Sequence, residues 1–152
     1  MAKKQSTNII RNKRASFDYD IKDTLLAGLV LTGAETRSLR EHHGSLQGAF
    51  VQIKDNEAWL VNALITPLKT NVANLPSEVQ NRNRKLLLKR REIESLIQAK
   101  TQGNTVIPIK LLTKGRYIKV EIGIGRGKRK YDKRQTIKQR DQDRDAKRAI
   151  KS

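Results

Sequence analysis

Residues 118–134 read Ile118-Lys119-Val120-Glu121-Ile122-Gly123-Ile124-Gly125-Arg126-Gly127-Lys128-Arg129-Lys130-Tyr131-Asp132-Lys133-Arg134. Up to Ile124 every second residue is apolar, which is typical of a half-buried strand. From residue 126 to the last residue, 152, only five side chains are apolar, too few to build a core. This junction therefore predicts a folded body that ends at residue 125 and a basic C-terminal tail that is disordered until it binds a partner.

The bulk composition indicates one soluble domain. A chain of 152 residues with 36% hydrophobic content can bury a core without disulfides. The absence of cysteine excludes disulfide scaffolds and thiolate zinc sites. The N-terminal cations are followed by no apolar run, and no stretch is long enough to span a membrane, so we expect a cytoplasmic protein without a membrane partner.

Positive charge is concentrated at the two ends of the chain. The formal net charge is +18, with twelve basic and four acidic side chains in residues 126–152 and five basic and no acidic ones in residues 1–14. A basic surface kept only for solubility would scatter this charge, whereas blocks of charge indicate a polyanionic partner such as RNA. We expect a flexible basic arm over 1–14, an RNA-binding barrel over 15–125 and a cationic tail over 126–152.

Alternating apolar residues predict six strands. Asp55-Asn56 is expected to turn a β-hairpin, Pro108 marks an edge or a bulge, and residues 66–81 form a loop. Gly28 is expected at a bend or bulge within its strand. The six predicted strands cover residues 17–21, 25–31, 49–54, 58–65, 105–112 and 117–124.

One long helix is predicted from Arg82 to Gly103, which offers the C-terminal stop. Residues 36–43 are expected to form a short helix or turn. One face of the long helix would carry apolar side chains and the other would be basic, either as a solvated surface or as a phosphate-binding one. The apolar face of this helix would comprise Leu86, Ile93, Leu96 and Ile97, and its basic face Arg82, Arg84, Lys85, Lys89, Arg90 and Arg91.

Together, the predicted strands and helices indicate a mainly β fold with helices, an OB-like six-stranded antiparallel barrel.

No motif in the sequence predicts catalysis, a metal site or a cofactor. Gly123, Gly125 and Gly127 precede Lys128, but the spacing of a phosphate-binding loop is absent. His42 and His43 are adjacent and have no evident third ligand, so we interpret them as a surface turn or an RNA contact. A ribonuclease that uses one of these histidines is the enzymatic alternative.

Six short motifs resemble the SmpB family, the SsrA-binding proteins that partner transfer-messenger RNA (tmRNA) in bacterial ribosome rescue. The resemblance extends from Asn12 to Lys151. The motifs are Asn12-Lys13-Arg14-Ala15, Ala27-Gly28, Gly33-x-Glu35-x-Arg37-Ser38-Leu39-Arg40, Arg82-x-Arg84-Lys85-Leu86-Leu87-Leu88, Gly127-Lys128-Arg129 and Asp132-Lys133-Arg134.

The resemblance implies a non-enzymatic adaptor of OB-like fold, a monomer without a cofactor. Its barrel would bind the tRNA-like domain of tmRNA. Its tail would occupy the decoding centre and the empty mRNA channel of the small ribosomal subunit and become helical there. The implied partners are tmRNA, the stalled ribosome and, through alanylated tmRNA, elongation factor Tu. A ribosomal or general RNA-chaperone protein of OB-like fold is the alternative interpretation.

The chain departs from the family pattern at three places. These are Leu26, where an acidic residue is common, Val79-Gln80, which replaces Asp-Pro, and Arg37, which replaces Lys.

The resemblance and the charge pattern together assign candidate contact residues. For tmRNA the candidates are Asn12, Lys13, Arg14, Glu35, Arg37, Ser38, Arg40, Arg82, Arg84, Lys85 and Leu87. For the ribosome they are Lys128, Arg129, Tyr131, Asp132, Lys133, Arg134, Lys138, Arg140, Arg144, Lys147, Arg148 and Ile150.

Overall fold

The fold is dominated by an antiparallel sheet, as the sequence predicts. A computed structural model describes residues 9–128, 134 and 137–144. Within these residues nine strands form, compared with the six predicted. The strands are β1 (Ile9–Arg11), β2 (Tyr19–Leu29), β3 (Gly44–Ser45), β4 (Phe50–Lys54), β5 (Glu57–Val61), β6 (Leu64–Ile65), β7 (Arg84–Leu87), β8 (Thr105–Leu112) and β9 (Lys119–Gly127).

The larger sheet curls into a partly closed, OB-like barrel. Its order is β1-β8-β9-β2-β7-β5-β4, with every neighbouring pair antiparallel, and β3 pairs with β6 in a separate ribbon. Strands β4 and β8 lie close together without pairing. The Lys100 Nζ donates a 2.9 Å hydrogen bond to the Val51 carbonyl of β4. A side chain thus satisfies part of the strand edge that a fully closed barrel would pair.

Within residues 9–128, three α-helices accompany the sheet: α1 (Ala15–Asp18), α2 (Gly33–Arg40) and α3 (Arg90–Thr101). The helix α2 begins with a capping box, in which the Glu35 N–H donates to Thr32 Oγ1 and the Thr32 N–H donates to Glu35 Oε1. Residues 66–81 contain no strand, as predicted, although Val72–Asn74 and Ser77–Val79 form single 3₁₀ turns. The predicted end of the long helix is confirmed, because Gly103 follows α3 with φ 89°.

The predicted start of the long helix is wrong. Residues 84–87 form strand β7 in the interior of the sheet, and α3 begins only at Arg90, where Glu92 Oε1 accepts a hydrogen bond from the Lys89 N–H. Three consecutive leucines fit either a helix or a strand, and the pairing of β7 with β2 and β5 decides for the strand. Leu86 then faces the core and Leu87 faces solvent. The predicted basic helix face therefore does not exist as one surface.

The predicted strands 17–21 and 25–31 are joined in one strand that ends at Leu29, while residues 17 and 18 belong to α1. Strand β2 runs without a break from Tyr19, and its pairing with β9 shifts register between Ile21 and Asp23. The bulge therefore lies there, and not at Gly28 as predicted. Gly28 has a different use, because a Cβ at this position would come within 3.2 Å of the Leu87 Cβ. The glycine allows β7 to pack closely beside β2.

Two further local predictions are confirmed. Asp55 and Asn56 connect β4 to β5 with φ 53° and 60°, the left-handed conformations of a type I′ hairpin turn. The register of β8 against β9 shifts between Pro108 and Lys110, which is the bulge that the proline indicates.

The N-terminal boundary of the barrel differs from the prediction. Residues 9–11 form β1, so the barrel begins before residue 15, while residues 1–8 lie outside the described part.

The barrel interior is apolar and continuous. The side chains of Val120 and Ile122 are fully buried, as their alternation predicts, and α3 contributes Leu96. Ile97, predicted on the same helix face, is 37% exposed. The core also includes Ile10, Ala27, Leu39, Leu46, Val51, Ala58, Leu60, Ile65, Leu75, Leu86, Val106 and Leu111.

The close approach of β9 to β2 predicts an intolerant glycine. A Cβ at Gly125 would overlap the Asp20 carbonyl oxygen and lie 2.9 Å from the Ile21 Cα, whereas a Cβ at Gly127 meets nothing within 4 Å. Gly125→Ala is expected to lower the free energy of unfolding by about 2 kcal/mol, since the two strands must separate to admit a methyl group. Urea unfolding of both variants checks this. Equal stability of Gly125→Ala and its control Gly127→Ala would contradict the expectation.

Candidate nucleic-acid interface

The interior holds an ionic cluster centred on the Glu35 carboxylate. Arg84 Nε lies 2.7 Å from Glu35 Oε2, and Arg82 Nη2 lies 2.6 Å from Glu35 Oε1. The side chains of Glu35 and Arg84 have no more than 1% of their surface exposed. Burial by itself raises the pKa of Glu35, but hydrogen bonds from Arg82 and the Thr32 N–H, together with the charge and hydrogen bond of Arg84, outweigh it. As a result, the pKa of Glu35 lies below its ordinary value.

Arg84 uses all the N–H groups of its guanidinium. Besides the Nε bond to Glu35, Nη1 donates to the carbonyls of Ala63 and Arg82, and Nη2 donates to those of Val79 and Gln80, at 2.8 to 3.2 Å. The pKa of Arg84 is lowered, chiefly by burial, because the hydrogen bond to Glu35 and the charge of Glu35 raise it by less. The side chain stays cationic, as arginine does in proteins. It joins α2, β7 and the 66–83 connection.

Three predicted tmRNA contacts thus lie inside the protein. Glu35, Ser38 and Arg84 are buried, and Ser38 Oγ accepts a 3.1 Å hydrogen bond from Asn71. Their polar groups already have partners within the fold, which favours a supporting role over the direct contact that the sequence predicts. Arg82 is intermediate, with one third of its side chain exposed beside Glu35.

The segment after β1 places two cations at the surface and an amide in the fold. The Asn12 Nδ2 donates to the Pro108 carbonyl at 2.9 Å, so it fixes the chain against the bulge of β8. Lys13 and Arg14 are exposed. Arg14 lies 3.2 Å from Asp18 and 4.5 Å above the Phe17 ring. Its ion pair is a surface one and constrains it weakly.

The outer face of the sheet combines apolar and cationic side chains. Leu87 is 55% exposed and Leu26 is 46% exposed. The two leucines lie on adjacent strands, since Leu87 of β7 pairs with Gly28 of β2. Lys119 pairs with Gly28 from the other side and is exposed. Lys85, two residues before Leu87, lies 3.4 Å from Glu57 at the surface. We call Leu26, Lys85, Leu87 and Lys119 the outer patch.

An apolar platform surrounded by lysines suits a nucleic-acid backbone and bases. Lysines attract phosphates at any sequence, and exposed apolar side chains contact bases or sugars. Lys119 and Leu26 were missed as contact candidates by the sequence analysis. Alternation along β9 places Lys119 opposite to Ile118 and Val120, but only the register with β2 shows which residues it neighbours.

The two arginines of α2 differ in their partners. Arg37 is exposed. Arg40 donates to the carbonyls of Thr113 and Arg116, at 3.0 and 3.2 Å, in the connection from β8 to β9. Arg40, predicted to contact RNA, therefore holds another surface element in place.

The described part of the tail begins at a fixed point. The Lys128 N–H donates a 2.8 Å hydrogen bond to the Asp18 carbonyl. Residues 137–144 are helical, and Arg140 Nη2 lies 3.4 Å from Ser16 Oγ. Arg134, Lys138, Arg140 and Arg144 are exposed. The predictions for Arg129, Tyr131, Asp132, Lys133, Lys147, Arg148 and Ile150 lie outside the described residues, as does most of the segment predicted to order on binding.

His42 and His43 are both exposed, and His42 takes φ 64° in the turn after α2. Across the described ranges, 9–128, 134 and 137–144, no three His, Cys, Asp or Glu side chains are grouped as metal ligands. No helix among these residues has the length and apolar character needed to cross a membrane.

Comparisons with known proteins identify close relatives of the whole chain. A family model described as SmpB protein matches residues 9–152. The SsrA-binding protein of Streptococcus suis is 46% identical over 153 residues, covering 100% of this chain and 97% of the relative, and that of Streptococcus uberis is 47% identical over 154 residues with the same coverage. A solved structure described as "tmRNA-SmpB: a journey to the center of the bacterial ribosome" has a TM-score of 0.66 and 34% identity, covering 86% of this chain and 94% of that one.

The lowered pKa of Glu35 predicts an acid-sensitive fold. A carboxyl whose pKa is lower in the folded chain than in the unfolded one stabilises the fold at pH values above its ordinary pKa, 4.5. This stabilisation is lost as the pH falls through the folded-state pKa. Glu35→Gln is expected to cost about 3 kcal/mol at neutral pH and to flatten the dependence of stability on pH below that value. Urea unfolding from pH 7 to pH 3 measures both effects.

The matched control for this prediction is Glu57→Gln. Glu57 is a surface carboxylate paired with Lys85 at 3.4 Å, so its loss should cost under about 1 kcal/mol. If Glu35→Gln and Glu57→Gln lowered the free energy of unfolding equally, the Glu35 cluster would stabilise the fold no more than a surface ion pair does, contrary to this prediction.

Proposed function

The chain belongs to the SmpB family, and we propose that it is a non-enzymatic RNA-binding adaptor for trans-translation, which binds the tRNA-like domain of tmRNA and brings it to stalled ribosomes. The observation that carries this proposal is the family match, which spans both the folded body and the tail. The described surface supports it, since the body presents the outer patch beside exposed cations.

The outer patch is the proposed tmRNA surface of the barrel. Leu26 and Leu87 offer an apolar platform, while Lys85 and Lys119 add positive charge at its sides. Lys13, Arg14 and Arg37 extend the set of available cations. Glu35, Arg84 and Ser38 support RNA binding indirectly, because they hold α2 and β7 in position. In this chain Leu26 makes the patch more apolar than an acidic residue would.

The tail is the proposed ribosome-contacting segment. It would occupy the decoding centre and the empty mRNA channel as a helix, and the helical residues 137–144 are compatible with that form. Its cations would contact ribosomal RNA, and elongation factor Tu would join through the alanylated tmRNA. The adaptor would act as a cytoplasmic monomer.

Competition binding tests the adaptor against a general RNA-chaperone protein, the alternative that the net charge of +18 also fits. We expect the labelled tRNA-like domain of tmRNA to be displaced by its unlabelled copy at far lower concentration than by bulk tRNA or ribosomal RNA at moderate salt, since charge alone gives no preference. Equal competition by all three RNAs would refute the adaptor proposal.

The same assay locates the surface. Lys119→Ala should weaken binding and reduce the slope of log K against log salt by roughly 0.7 to 0.9, the share of one phosphate contact. Lys69→Ala removes an exposed cation from the 66–81 loop and is the matched control. An equal loss in both variants would show that only total charge matters.

Removal of the tail separates the two proposed activities. A chain that ends at Lys128 keeps the whole of β9 and the hydrogen bond to Asp18, so its barrel should fold and bind tmRNA with nearly unchanged affinity. The same variant should fail to support peptide tagging on stalled ribosomes. Gel shift and an in vitro tagging assay measure the two outcomes, and a large loss of tmRNA affinity would instead make the tail a primary tmRNA site.

A further inference from the structure

The connection between β8 and β9 presents an aromatic ring to solvent. Tyr117 is 68% exposed, more than any other large apolar side chain in the described part of the chain. The ring therefore contributes little to the core. Exposed aromatic rings surrounded by cations are typical contact points for unpaired bases, since every base has a face that can stack.

One side of the ring is already occupied by a cation. The Arg116 guanidinium lies 5.5 Å from the centroid of the Tyr117 ring, within cation–π range. This contact orients the ring, and the large exposed area leaves room for a second planar group. A base that stacks on the ring would lie beside a guanidinium able to bind its phosphate.

The connection is held in shape from outside. Arg40 of α2 donates hydrogen bonds to the carbonyls of Thr113 and Arg116, on both sides of Gly115, which has φ 96°. Thr113 is buried at the start of the connection. A platform that is already fixed loses little conformational freedom when a ligand binds. This gives Arg40 a positioning role.

The local charge selects an anionic ligand. Lys114, Arg116 and Lys119 are exposed, and residues 113–120 include no acidic side chain. The next acidic residue in the chain, Glu121, lies 3.2 Å from Lys110. A ring for stacking next to cations for a phosphate is the combination that recognises a nucleotide within a single strand.

We propose that residues 113–117 form a second RNA contact, in which Tyr117 stacks on one unpaired base while Lys114 and Arg116 bind the adjacent phosphate. This contact rests on the proposed function and deepens it, because it adds a base-stacking contact to the outer patch. The unpaired base could belong to tmRNA or to ribosomal RNA, which offer the same chemistry.

The test uses full-length chains with Tyr117→Phe, Tyr117→Leu and Tyr117→Ala. Dissociation constants are measured for the tRNA-like domain of tmRNA in one arm and for small ribosomal subunits in the other. Stacking predicts that Phe retains wild-type affinity, while Leu and Ala lose about tenfold in at least one arm. Val72→Ala, a truncation at another exposed apolar side chain (55% exposed), is the control and should bind as the wild type does.

The arm that shows the loss identifies the source of the base. Wild-type affinity of Tyr117→Ala in both arms would overturn the proposal, and so would equal affinities of the Leu and Phe variants, which would indicate bulk without stacking. Thermal unfolding of each variant shows whether it folds, and the exposure of Tyr117 predicts little change. A wild-type chain without preference for tmRNA would instead refute the adaptor function and leave the Tyr117 comparison readable on either RNA.

Discussion

The buried ion pair between Glu35 and Arg84 is the interaction on which the rest of the structure depends. Charges enter a protein interior at high cost unless each has partners for all its hydrogen bonds. Here the carboxylate also caps α2, and the guanidinium binds carbonyls before β6 and in the 66–83 connection. These segments must come together for either charge to be buried, so the pair couples distant parts of the sequence.

The position of β7 follows from this pair, and the outer patch follows from β7. With Arg84 directed inward, strand alternation turns Lys85 and Leu87 toward solvent. The absence of a side chain at Gly28 then brings Leu87 close to β2. An interior electrostatic constraint thus determines which side chains the opposite face of the sheet presents to solvent.

The basic residues of the body consequently divide into two groups. Arg84 is used entirely within the fold, and Arg40 binds the carbonyls of a surface connection. Lys13, Lys114 and Lys119 are exposed and available to phosphates. Net charge counts both groups alike, so the value of +18 does not by itself tell how many cations are available to RNA. The same division separates motif residues that hold the fold together from those that a partner could reach.

The sequence by itself determined the class of fold, the hairpin at Asp55-Asn56, the bulge at Pro108, the basic tail and, through its motifs, the family. These features depend on local properties: alternation, turn conformations and composition. Only the tertiary structure decided that residues 84–87 form a strand, that Glu35, Ser38 and Arg84 are interior, and that Lys119 lies beside Leu26 and Leu87. Each of these depends on pairing between residues far apart in the chain. A run such as Arg84-Lys85-Leu86-Leu87 is compatible with two periodicities, and the buried partner Glu35 selects one of them.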